Sequence, residues 1–149
     1  MLLRLFRTTA AIGVLLSAVP ALAQSIATAA EVVQAMGFAD TYEHHVDETV
    51  ASMMEQGLIG GEFATTKDVI KLEAEVRQYL IDERAQVSSM LALSLDQNRS
   101  IGELQMLKLM FEEGVTIDQL PGQVSYSLKA EIYAAMSGHA LVVAMGSGS

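Results

Sequence analysis

The chain has no cysteine and no tryptophan, only two prolines, and 9 Lys+Arg against 18 Asp+Glu in 149 residues. Without thiols there is no disulfide framework, no thiol nucleophile and no Cys-ligated zinc or iron–sulfur centre. The shortage of cations, a formal net charge of −9, argues against nucleic-acid binding, which needs clustered Lys and Arg to displace phosphate counterions. The length supports one core and is too short for two full-sized domains.

One apolar run stands apart. Residues 1–23 read MLLRLFRTTAAIGVLLSAVPALA, with Arg4 and Arg7 ahead of an apolar stretch, then Pro20 and Ala21-Leu22-Ala23. This is the pattern of a secretory signal peptide, with a basic start, a short apolar segment and a small-x-small cleavage site after a helix breaker. The apolar run falls short of the roughly 20 residues a membrane anchor needs, so cleavage is expected after Ala23. Removing Arg4 and Arg7 from the 9 cations leaves 7 against 18 acids, a net charge of −11 on the remaining chain. No later segment approaches bilayer length, since Leu141-Val142-Val143-Ala144-Met145 is only a few residues long. The expected organisation is a signal peptide at 1–23, a helical domain at 24–145 and a disordered Gly-Ser tail at 146–149. The expected location is periplasmic or secreted.

Within the domain, apolar residues recur every three or four positions and no sustained alternation points to strands. The fold class is therefore all-α, with about five helices. Ser25 is expected to cap a first helix over 26–36 that ends at Gly37. A second, over 38–56, carries the stripe Phe38, Tyr42, Val46, Val50 and Met53, with acidic residues mostly opposite. Gly57, Gly60 and Gly61 mark a turn. Thr65 or Thr66 then caps a segment over 67–95 that, if unbroken, forms a rod of roughly 43 Å and the spine of the domain. Glu73 and Arg77 pair on its polar side, and Glu83, on the apolar stripe, is read as a boundary position whose carboxylate reaches water. Ser100-Ile101-Gly102-Glu103 has the Ser-x-x-Glu form of a capping box, so a helix starts there and stops near Gly114. Pro121 opens the last helix, which is expected to end at Met136 and to turn Val124, Leu128, Ile132 and Ala135 inward.

The residue patterns of known chemistry are mostly missing. His44 and His45 lie among Glu43, Asp47 and Glu48, but adjacent helical residues point about 100° apart. His44 with Glu48 at i, i+4 makes at most a weak two-ligand surface site, so a solvated acidic face is the reading adopted and no metal is assigned. Ser88, Ser89 and Ser137 lie in no Gly-x-Ser-x-Gly elbow, and His139 is the only histidine outside the pair. Gly57, Gly60 and Gly61 lack the Lys-Ser/Thr of a phosphate loop. A haem held between Met36 and His139 is the one redox option, but nine methionines make such a match expected by chance, and no cofactor is assigned. Met53, Met54, Met90, Met106 and Met110 are read mainly as pliable core filler, with an adaptable partner groove as the alternative.

The stretch EVVQAMGFADTYEHHVDETVASMMEQ (31–56) resembles the opening of a family of exported bacterial helical domains of unknown function, and SIGELQMLKLMFEEG (100–114) is similar to that family's most recognisable motif. The motif is carried here by Glu103, Leu104, Phe111, Gly114, Leu120 and Pro121. The chain departs from it at Glu112, where the family has Tyr, and in the β-branched Val115-Thr116-Ile117. The resemblance implies an exported all-helical domain and brings no catalytic residue with it. The expected function is a non-enzymatic binding or interaction module of the cell envelope, its partner an envelope protein or a second copy. The alternative is a carrier of a small apolar ligand or cofactor in the bundle interior.

Overall fold

A computed structural model describes residues 23–61 and 65–146, all helix, turn or irregular chain and without strands among those residues. The expected signal peptide, apart from Ala23, and residues 147–149 of the expected tail lie outside them. The helices are α1 (23–35), α2 (Phe38–Glu55), α3 (Thr66–Asp82), α4 (Arg84–Asn98), α5 (Ile101–Glu112) and α6 (Gly122–Gly146), with a single 3-10 turn at Ile117–Gln119 before α6. Among the described residues no helix is long and apolar enough to cross a membrane.

Local chemistry sets several ends as the sequence predicts. The α2 stripe of Phe38, Tyr42, Val46, Val50 and Met53 is buried throughout. Thr65 caps α3 in a full capping box, its hydroxyl accepting from the Asp68 N–H at 3.2 Å while the Asp68 carboxylate takes the Thr65 N–H. Ser100 caps α5 by accepting from the Glu103 N–H at 3.2 Å. Between α2 and α3, Gly60 has φ +98° and a Cβ there would lie 2.6 Å from Cγ2 of Val69, so both backbone and space require glycine.

Three expectations change. Ser25 is not a cap: helix already surrounds it, and its hydroxyl donates to the Asp96 carboxylate, tying α1 to α4. The last helix does not stop at Met136 but continues to Gly146. Met136 and Ala140 are fully buried, and their packing outweighs the roughly 1 kcal/mol that Gly138 costs a helix interior. Leu128, Ile132, Met136 and Ala140, four residues apart, form its buried edge.

The third change concerns the spine. The 67–95 rod is broken at Glu83, which has φ −90° and ψ 13°, and this raises the helix count to six among the described residues. Proline and glycine are absent from the break, so the cause is tertiary. The buried Tyr42 hydroxyl of α2 donates to the Leu80 carbonyl, which in an unbroken helix would accept from Arg84 N–H. The Arg84 guanidinium covers the Tyr42 ring at 4.9 Å. Burial pushes the Tyr42 phenol up to about 12, against the opposing pull of Arg84 and with a small push from Glu83, so it stays a donor. Glu83 is half-buried at the corner. Tyr42→Phe is expected to cost about 1–3 kcal/mol by leaving that carbonyl without its donor, read from urea midpoints; a loss below about 0.5 kcal/mol would show that the hydroxyl does not hold the corner.

With the spine divided, α6 takes the central place, packing against α2, α3, α4 and the 3-10 turn. Thr49 donates to the Met136 sulfur at 3.4 Å in the interior, and Gln56 donates to the Tyr133 hydroxyl at 2.9 Å nearer the surface. The α2–α3 seam carries the expected Glu73–Arg77 pair at 3.3 Å, and Arg77 also bridges to Asp47.

Candidate functional site

Helix α5 has more apolar residues than it buries. Leu104, Leu107 and Phe111 face the core, whereas Met106 is 65% and Leu109 59% exposed. Beside that outward stripe a surface cleft of about 470 Å³ lies between the end of α4, α5 and the start of α6. Its apolar wall is Met106, Leu107, Met110, Leu120, Pro121 and Val124. The Ser100 cap sets where α5 starts, and Pro121 stands directly before α6; these local signals place the two walls.

The polar wall is built around a buried ion pair. Arg99 Nη1 lies 2.6 Å from Glu131 Oε2, with side chains only 9% and 12% exposed. The other Glu131 oxygen accepts from Ser94 at 3.0 Å and from Asn98 at 3.1 Å, and Arg99 Nη2 donates to Ser127 at 3.3 Å. Asn98, Arg99 and Ser127 all line the cleft. The network joins α4 to α6 at the floor of the cleft, Arg99 Nη1 and Glu131 Oε2 meeting as opposite charges without hydrogen-bond geometry.

Of the residues singled out by sequence, the adjacent histidines and the serines lie away from this cleft, and Met36 and His139 lie apart from one another. His44 and His45 both approach Glu48, at 3.3 and 3.8 Å, and no group of three or more possible ligand residues among the described residues has metal-site geometry. His45 is 14% exposed at its side chain and stacks on Phe38 with centroids 5.6 Å apart. It borders two crevices of about 380 and 250 Å³ that also share Glu48 and Lys129. Met36 lines the larger of these, whereas His139 lines a different crevice with Ser89 and Met90, so the structure does not bring Met36 and His139 to one site. The Ser88 and Ser89 hydroxyls donate to their own helix, to the carbonyls of Arg84 and Ala85. Among the methionines, Met53 and Met136 are core, while Met106 and Met110 line the cleft.

Burial pushes the His45 imidazole below its usual 6.5, the Glu48 carboxylate pulling it up and His44 adding a smaller downward push. A depressed pKa in the folded state gives stability that is present above about pH 6.5 and is lost as the pH falls through the folded value. The stability advantage of the wild type over His45→Gln is therefore expected to shrink between about pH 7.5 and pH 5, read from thermal unfolding of both proteins. Parallel pH profiles would rule the effect out.

Arg99 and Glu131 escaped the sequence reading because their pairing depends on how α4 and α6 meet. The one local signal was Arg99 directly before the Ser100 cap. No protein-family model matches the chain, and no similar curated protein or solved structure was found.

Proposed function

We propose that this chain is a non-enzymatic binding module of the bacterial cell envelope, exported through its N-terminal segment, and that it holds an apolar part of a partner in the α4–α5–α6 cleft. The observation that carries this reading is the cleft itself. Its 470 Å³ falls within the range of specific binding pockets, and beside it α5 leaves Met106 and Leu109 uncovered. Exposed methionines suit a surface that adapts to a partner's side chains. Kinship with the exported helical family belongs to the same reading, and of its shared motif Glu103, Leu120 and Pro121 line the cleft.

The absence of cysteine makes the test direct. Met106→Cys and Met145→Cys each place one thiol on an exposed methionine, 65% and 76% exposed respectively, for a photo-crosslinker. With envelope extract, a discrete and saturable adduct is expected from Met106→Cys alone. Equal adducts from both positions, or none that saturates, would refute the reading.

The second reading, a carrier of a small apolar ligand, also draws on the cleft volume. Native mass spectrometry of the gently isolated protein separates the two. A reproducible stoichiometric added mass supports the carrier, and the bare polypeptide mass supports the interaction module.

A further inference from the structure

We propose that the occupant of the cleft is a basic amphipathic segment of a partner protein, with large apolar side chains on one face and a Lys or Arg placed to meet Glu103. The proposal rests on the cleft being the binding site and adds the chemistry of what it takes. Among the described residues Arg99 is the only cation lining the cleft, and Glu131 at 2.6 Å already pairs with it. The nearby cations of α5 and α6 are engaged as well, Lys108 with Glu31 and Glu112 and Lys129 with Asp118. A carboxylate or phosphate entering here would find no free positive charge. Glu103 also lines the cleft, exposed, and its carboxylate forms no ion pair among the described residues. The free charge at the site is negative, on a chain whose net charge is −9.

The same balance disfavours a second copy, which would bring another Glu103 and another acid excess to the interface. The extent of the apolar surface favours a chain segment over a small molecule, because Leu109 continues the stripe beyond the cleft walls. An amphipathic helix laid into an apolar groove, with its anchors spaced three and four residues apart, has this form. Its basic positions would speed encounter and fix its register.

Three peptides of one leucine pattern, with lysine, glutamine or glutamate at the polar positions, test the proposal by fluorescence anisotropy. They are titrated against the wild type, Met106→Gln, Glu103→Gln and two distant controls, Ile70→Gln and Glu55→Gln. The lysine peptide is expected to bind saturably and to weaken with salt. Its affinity should fall about tenfold or more in Met106→Gln and about threefold to fivefold in Glu103→Gln, with the controls unchanged. Glutamine and glutamate peptides should bind progressively more weakly. If they bind as well as the lysine peptide but still lose affinity in Met106→Gln, the cleft stands as a binding site and the basic partner falls. Equal loss in Glu103→Gln and Glu55→Gln would reduce the charge effect to the acidity of the whole chain and overturn the proposal. Binding that ignores Met106→Gln overturns the cleft as well. Self-association in sedimentation that Met106→Gln abolishes would assign the cleft to a second copy and also overturn the proposal.

Discussion

Replacing Arg99 by Met while Glu131 remains is expected to destabilise the domain by about 3–5 kcal/mol. The size follows from burial. Both side chains are about nine-tenths covered, so Glu131 would be left without its counter-charge in a place water hardly reaches. Ser94 and Asn98 would still donate to one of its oxygens, but two neutral donors do not replace a guanidinium. Glu131→Leu is expected to cost a similar amount by leaving Arg99 without its counter-charge. The double variant Arg99→Met/Glu131→Leu should recover most of the loss, because an apolar pair of similar volume often matches a buried ion pair. Urea unfolding of the four proteins completes the cycle. Single losses below about 1 kcal/mol, the range of exposed pairs, would show that the pair is solvated and does not fix the floor of the cleft.

The second large effect separates the central helix from the cleft wall. Leu128 of α6 is fully buried, and Leu128→Ala is expected to cost about 2–5 kcal/mol through lost transfer energy and the cavity left behind. Met106 is also apolar but 65% exposed, and Met106→Ala is expected to stay within about 0.5 kcal/mol. Urea midpoints at an unchanged slope read both. Near-equal losses would contradict a core organised on α6 and a Met106 left free for a partner.

What was legible in the sequence was local. The spacing of Phe38, Tyr42, Val46, Val50 and Met53 gave the buried face of α2, and the positions of Thr65 and Ser100 gave the starts of α3 and α5. Both depend on neighbours within a few residues. The break at Glu83 was not legible, because it depends on a Tyr42 hydroxyl that reaches the Leu80 carbonyl from 38 residues earlier in the chain. The full length of α6 was not legible, because the burial of Met136 and Ala140 that carries it past Gly138 comes from the helices around them. Of the candidate site, the methionines on α5 belonged to a set that the sequence presents mainly as core filler, with an adaptable groove as the alternative. Their division from the core methionines was not legible, since methionine serves both as core filler and as an adaptable exposed surface. The Arg99–Glu131 pair needed α4 and α6 to be placed side by side.

The central claim is that the α4–α5–α6 cleft is the binding surface, and methyl-labelled methionine NMR tests it most directly. The methionines of the described residues sample the core, the cleft and exposed surface elsewhere, so one titration with the leucine–lysine peptide reports on all three. The expected result is saturable shifts of the Met106 and Met110 methyls, while Met53 and Met136 in the core and the exposed Met90 and Met145 stay in place. Shifts of Met90 and Met145 as large as those of Met106, or a peptide that binds while the Met106 and Met110 methyls stay still, would contradict it.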